Sequence, residues 1–218
     1  MRKICYIVGA GDGANITINL GEGDMVIAAD GGYKTLMAIG ITPDLVVGDF
    51  DSLGYIPEGV ELVRHPPEKD DTDMMLAILL GMERGYRNFL IYGGLGGRLD
   101  HTLANLQSLC YIAGHGCRGW LWGDGTAITA VKDGAVTFPG KCSGMLSVFA
   151  QGGAARGVYE TGLKYKLDDA TLHFDYPLGI SNEFLGCDAG VSVREGMLAL
   201  LWHCHSAEIE QMIREGLC

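Results

Sequence analysis

Three short stretches carry residue types able to handle a phosphorylated ligand. Gly48 to Ser52 reads GDFDS and sets Asp49 and Asp51 on either side of Phe50. In an extended segment side chains two apart point the same way, about 6.5 to 7 Å between Cα atoms, so both carboxylates can converge on one cation. A plain turn is the competing use, because Asp and Ser side chains bond nearby backbone N–H groups. KDDTD (69–73) places Asp70, Asp71, Thr72 and Asp73 at the head of an apolar run. A helix cap needs one such residue, and each charge matched to the dipole adds only about 0.3–1 kcal/mol. Three acids exceed that need, so at least one is expected to meet a ligand, and Asp73 can face the same ion as Asp49 and Asp51. GGLGGRLDH (93–101) joins four glycines to Arg98 and Asp100. Glycines let backbone approach phosphate oxygens, a helix N-terminus supplies N–H donors, and Arg98 offers a two-pronged fork. The stretch lacks the Gly-Lys-Ser/Thr ending of a Walker A loop.

Something must hold these stretches together. In the first half, short apolar runs at 4–10, 25–30, 45–50, 61–65, 89–94 and 120–124 alternate with helical patterns. That alternation predicts βαβ units and a parallel sheet. The clearest helix follows Thr72, with Met75, Ile78, Leu79 and Met82 repeating at helical spacing and Gly85 as the stop. A second begins near Asp100, with Leu103, Leu106 and Cys110 on one side and Gly114 at its end. After about residue 125 strand-like pieces are separated by Gly, Asp or Pro turns, the pattern of an antiparallel sandwich or barrel. Ser206 is expected to cap a terminal helix with Ile209, Met212 and Ile213 inward. The expected architecture is α/β plus β: a Rossmann-like parallel-sheet domain over 1–125 and an antiparallel β-sandwich over 126–218. In an open parallel sheet ligands bind beyond the carboxyl ends of the strands. Asp30 with Gly31, GDFDS, KDDTD and GGLGGRLDH all fall at such exits.

Composition narrows the ligand. The 218 residues carry a net charge of −11, which argues against a general nucleic-acid binder held by phosphate contacts. A polyanion needs a divalent cation here, whereas a cationic organic substrate is drawn directly. Glycine supplies 34 residues, about twice its usual share, as expected of a chain with many tight turns. Seven scattered cysteines without C-x-x-C suggest neither a disulfide framework nor a zinc site, and fit a reducing cytoplasm. The start is expected to be a first strand and not a signal peptide, and no run approaches the roughly 20 apolar residues of a membrane span.

Two other patterns in the sequence compete with this one. GAGDGA (9–14) fits G-x-G-x-x-A with Asp30 downstream, as in an NAD(P)-binding oxidoreductase. The NITINLGEGD that follows makes a poor crossover helix, and this reading leaves the other acids unemployed. His203 and His205 in WHCHS have no third metal ligand nearby.

AADGG (28–32), TPDLVVGDFDS (42–52), EKDDTD (68–73), GGLGGRLDH (93–101), GLKYKL (162–167) and GISNEF (179–184) together resemble the thiamine pyrophosphokinase (thiamin diphosphokinase) family, in family order over nearly the whole chain. The resemblance implies an α/β catalytic domain, a β-sandwich that helps bind thiamine, and a homodimer with active sites in clefts between subunits. It implies transfer of the pyrophosphoryl group of ATP to the thiamine hydroxyl, with Mg²⁺, giving thiamine diphosphate and AMP. By motif it makes Asp49, Asp51 and Asp73 metal ligands, and Asp30, Gly31, Gly96, Gly97, Arg98, Asp100 and His101 nucleotide or phosphate contacts. Asp73, Asp100 and Arg98 form the implied catalytic set, and Tyr165, Ser181 and Asn182 the implied thiamine contacts. Lys166 stands where the family often has Pro, and Lys69 where it can have Gln. A non-catalytic thiamine or nucleotide sensor is the alternative from another class.

Overall fold

The computed structural model describes residues 2–11, 16–48, 59–64 and 72–217. Its first half contains β1 (Cys5–Val8), β2 (Met25–Ala29), α1 (Gly32–Ala38), β3 (Leu45–Gly48), β4 (Glu61–Arg64), α2 (Asp73–Glu83), β5 (Asn88–Tyr92), α3 (Leu99–Gly114) and β6 (Arg118–Gly123). The second half contains β7 (Thr126–Lys132), β8 (Ala135–Phe138), β9 (Met145–Thr161), β10 (Leu167–Leu172), β11 (Asn182–Glu183), β12 (Ala189–His203) and α4 (Ser206–Glu215). Two compact units result, one of Lys3–Ser108 with Leu121–Asp124, the other built on Leu109–Trp120 and the chain from Gly125 onward. The fold is the expected α/β plus β.

In the first unit the strand order is β6-β5-β1-β2-β3-β4, with β1 parallel to both β5 and β2. β1, β2, β3 and β5 are buried along their whole length, which is why they read as unbroken apolar runs. The chain leaves β1 in one direction through β2, β3 and β4, then returns to β1's other side as β5. That reversal is a topological switch point, and it lies between β1 and β5. Acids at the opposite ends of the strands are structural: the Asp24 carboxylate accepts from Ile4 N at 2.8 Å and Gly21 N at 2.7 Å, and Asp44 from Val26 N at 2.8 Å.

α2 and α3 lie where the sequence predicts them, but their buried faces are rotated from the expected ones. On α2 the buried set is Met74, Ala77, Ile78 and Gly81, with Leu76, whereas Met75, Leu79 and Met82 are half-buried. Small residues decide this, since a Cβ on Gly81 would come within 2.6 Å of the Phe89 ring. On α3 the buried positions are Asn105, Ser108, Leu109 and Ile112, and Leu103, expected inward, is 56 % exposed.

The second unit rests on two long strands, β9 and β12, antiparallel along their length with a register break between Glu195 and Met197. Before the break β12 pairs with β8, and after it with β7; β9 pairs with β11 near its start and β10 near its end. Each long strand thus serves two leaves. Phe138 of β8 meets Trp202, from the far half of β12, edge-on with ring centroids 5.2 Å apart, so the leaves face one another as a sandwich. α4 buries Ile209, Met212 and Ile213 as expected, but its cap is His205, not Ser206. Ser206 is the first helical residue and is buried, while the Glu208 carboxylate accepts the His205 N–H at 3.1 Å. His205 therefore serves the helix start. Among the described residues no helix is long and apolar enough to cross a membrane.

Candidate functional site

The exits of β1 and β5 interlock through glycine. Gly9 N donates to Tyr92 O at 2.8 Å and Gly11 N to Gly93 O at 3.0 Å. A Cβ on Gly11 would lie 2.4 Å from Gly93 O, and one on Gly93 2.5 Å from Gly9 O. These contacts explain Gly9 and Gly11 of GAGDGA by loop packing. Residues 16–24 form no helix between β1 and β2, so the crossover helix of a dinucleotide fingerprint is not seen among the described residues. The Asn105 amide, inward on α3, donates to Gly94 O at 2.8 Å and fixes the second loop.

Beside this pair lies a cavity of about 300 Å³, walled by Asp30, Asp73, Gly96, Gly97, Arg98 and His101 among others. Asp30 leaves β2 with φ 48°, in the left-handed region. A non-glycine residue there costs about 1–3 kcal/mol, and such strain gathers at ligand sites. Its N–H donates to Val47 O at 2.8 Å, and Gly31 follows as the N-cap of α1. Gly32 then lets α1 begin against β1, because a Cβ there would sit 1.8 Å from Val8 O.

Asp73 opens α2, but the capping is done by Thr72, whose hydroxyl accepts from Met75 N at 3.1 Å. The acid is half-buried on the cavity wall and is not needed as the cap. Its expected companions Asp49 and Asp51 lie outside the described residues, as do Lys69, Asp70 and Asp71. Among the described residues no group of three or more His, Cys, Asp or Glu is arranged to hold a metal. Asp30 and Asp73 nevertheless offer hard carboxylate oxygens of the type Mg²⁺ takes. β3 ends at Gly48 against Asp30, where a Cβ on Gly48 would come within 3.3 Å of Asp30 Cα.

Arg98 and Asp100 form a two-pronged pair, Nε to Oδ1 at 3.1 Å and Nη2 to Oδ2 at 2.5 Å. Asp100 also accepts its neighbour's N–H, from His101 at 3.1 Å. The Arg98 hydrogen bond, with help from the His101 N–H, pulls the Asp100 carboxyl down to about 2. The pairing raises the Arg98 guanidinium in turn. Because the folded value is depressed, the pair's contribution is present above the ordinary carboxyl range and is lost as pH falls toward 2. Both side chains are exposed, so screening keeps that contribution small. An NMR titration of Asp100 should report a value near 2 that returns toward the ordinary carboxyl range in Arg98→Ala; an unchanged titration would remove Arg98 as the cause.

The remaining expected contacts lie in the second unit. Tyr165 is exposed, and Ser181 adopts a left-handed φ of 59°. Asn182 is only 4 % exposed and its amide is fully engaged. Oδ1 accepts from Tyr165 N and Glu183 N, each at 2.9 Å, while Nδ2 donates to Tyr165 O and Glu160 Oε2, each at 2.6 Å. The residue holds Tyr165's backbone by both its N–H and its carbonyl. Asn105 and Glu160 escaped sequence reasoning; the available signal was a polar residue on an otherwise apolar inward face.

A parallel sheet whose switch-point crevice gathers glycine loops, an arginine fork and two carboxylates defines an α/β protein suited to a phosphorylated ligand. Residues 19–121 match the thiamin pyrophosphokinase catalytic-domain family, and residues 136–198 match the thiamin pyrophosphokinase vitamin B1 binding domain family. The chain belongs to the thiamin pyrophosphokinase family. It is similar to thiamin pyrophosphokinase 1 of Caenorhabditis elegans, 26 % identical over 154 residues that cover 65 % of this chain and 62 % of that protein. It is also similar to thiamine pyrophosphokinase of Bacillus subtilis (strain 168), 37 % identical over 95 residues, 40 % of this chain and 44 % of that one. The matched stretches thus span less than two thirds of the length of these curated relatives. A crystal structure of thiamine pyrophosphokinase from Bacillus subtilis superposes with a TM-score of 0.82 at 26 % identity, covering 92 % of this chain and 99 % of that one.

Proposed function

We propose that the protein transfers the pyrophosphoryl group of ATP to the hydroxyl of thiamine, releasing AMP and thiamine diphosphate. The observation that carries this reading is the meeting of Asp30, Asp73, the Gly96-Gly97 turn and Arg98 around one cavity at the switch point. Residues 1–125 would form the catalytic, ATP- and Mg²⁺-binding domain and residues 126–218 the thiamine-binding sandwich. The working form would be a cytoplasmic homodimer with active sites between subunits.

An alcohol attacking the β-phosphorus needs in-line placement, shielded phosphate charge and a route for its proton. Asp49, Asp51 and Asp73 would hold Mg²⁺, which when bound shields the phosphates and orients them. Asp30, Gly31 and His101 would contact the nucleotide, with the backbone of Gly96 and Gly97 approaching phosphate oxygens. Arg98 would add a charged fork whose direction Asp100 presets. Asp100 is engaged by Arg98 through both oxygens, so Asp73, on the cavity wall, is the carboxylate we assign to orient the thiamine hydroxyl. Ser181 and Tyr165 would meet the thiamine ring system, with Asn182 beneath them. Thiamine is cationic, and the chain's net charge of −11 favours its approach.

The reading is tested by incubating the protein with ATP, Mg²⁺ and thiamine and following nucleotides by chromatography. AMP should rise in step with thiamine consumed; ADP as sole nucleotide product would refute pyrophosphoryl transfer. Binding of thiamine with no AMP released would favour the sensor instead.

A further inference from the structure

Glu160 is an acid where the strand pattern calls for an apolar residue. It lies on the inward side of β9 with Val158 and is 2 % exposed. In the ladders it stands opposite Val191 of β12 and Leu167 of β10. Core positions of a sandwich do not hold a carboxyl without cost, since burying an unpaired charge is far more expensive than burying a methylene. Burial raises the Glu160 carboxyl above its ordinary range, while the Asn182 bond pulls the other way. Its Oε1 is buried without a hydrogen-bonding partner among the described atoms, so all of its bonding passes through Oε2.

That single bond has a long reach. Oε2 accepts from Asn182 Nδ2 at 2.6 Å, and the same nitrogen donates to Tyr165 O at 2.6 Å. With one hydrogen directed at Glu160 and one at Tyr165, the amide plane is fixed. Oδ1 must then face Tyr165 N and Glu183 N, each at 2.9 Å. The fixed amide clamps the Tyr165 backbone on both its donor and its acceptor, and pins Asn182 directly after the strained Ser181. Without the acid Nδ2 keeps only its bond to Tyr165 O, so the amide is held less firmly, although a full flip would set Nδ2 against two N–H donors.

We propose that Glu160 is a positioning residue for the thiamine side of the site, acting through Asn182 to fix the Tyr165 backbone and the Ser181–Asn182 corner. This rests on the thiamine-side reading given above. Glu160 sets the apparent affinity for thiamine and leaves that for the nucleotide alone, because among the described residues its side-chain bond runs to Asn182 alone, and through Asn182 to Tyr165. A buried hydrogen bond to a partner left unsatisfied is worth roughly a factor of ten.

Glu160→Ala should therefore raise KM for thiamine about tenfold, with kcat and KM for ATP changed less than about threefold. Glu160→Gln keeps a carbonyl acceptor for Asn182 and should restore KM for thiamine to within about threefold, whatever it does to thermal stability. Amide hydrogen exchange reads the clamp without turnover, and Tyr165 and Glu183 N–H should exchange faster in Glu160→Ala. Unchanged thiamine KM, equal rises in both KM values, or unchanged exchange at Tyr165 would overturn the proposal. Wild-type protein that makes no AMP from thiamine refutes the pyrophosphokinase reading and the substrate half of the proposal together. Wild-type AMP formation with an indifferent Glu160→Ala refutes the positioning role alone.

Discussion

Asp73→Asn lowers kcat/KM for thiamine turnover about a thousandfold or more while Tm falls by no more than about 4 °C. The two halves of that expectation come from different atoms. Thr72, not Asp73, accepts the Met75 N–H at the head of α2, so the helix keeps its cap. Loss of the first-turn acid costs the helix only about 0.3–1 kcal/mol of dipole matching. The cavity wall, by contrast, loses a half-buried carboxylate that the proposed chemistry uses both to hold a cation and to orient the hydroxyl. Losing one charged group of this kind removes several kcal/mol of transition-state stabilisation, and each 1.36 kcal/mol is tenfold in rate. Steady-state kinetics beside thermal unfolding would decide it, and near-normal turnover would remove Asp73 from the site.

The second large effect falls on stability. Gly32→Ala puts a methyl 1.8 Å from Val8 O and 2.5 Å from Val8 C, and both are backbone of a buried strand that cannot swing aside. Overpacking against side chains costs about 1–3 kcal/mol, and a backbone clash this close belongs at or above the top of that range. For a chain of this size that lowers Tm by about 6–12 °C. α1 must back away from β1, carrying with it the turn in which Tyr33 N bonds Asp30 O at 3.3 Å, so nucleotide affinity should fall too. Gly114→Ala is the control, since a Cβ there meets nothing within 4 Å. Calorimetry that found Gly32→Ala within about 2 °C of wild type would contradict the close approach of α1 to β1.

The parts of this molecule legible in its sequence are those where one residue property dominates. β1, β2, β3 and β5 are buried on both faces, so their apolar runs announced them and the exits between them. Thr72 announced the start of α2, because capping is a local bond. Helix faces were harder. α2 is apolar along its interior, so periodicity could not choose between the Met75 face and the Met74 face, and the small Gly81 chose through its close approach to Phe89. α3 hides two polar residues inward, Asn105 and Ser108, which hydropathy alone assigns to the surface. Glu160 was hidden for the same reason: its meaning depends on Asn182, which is 22 residues away. Arg98 and Asp100 lay in plain view as motif residues, yet their pairing, and with it the weak basicity of Asp100, needed geometry.

The most direct measurement of the central claim follows the terminal phosphate of ATP. With ATP labelled at its γ-phosphorus, Mg²⁺ and thiamine, the label should appear in thiamine diphosphate, one for each unlabelled AMP formed. Label confined to thiamine monophosphate with ADP, or to inorganic phosphate with thiamine unchanged, would contradict it.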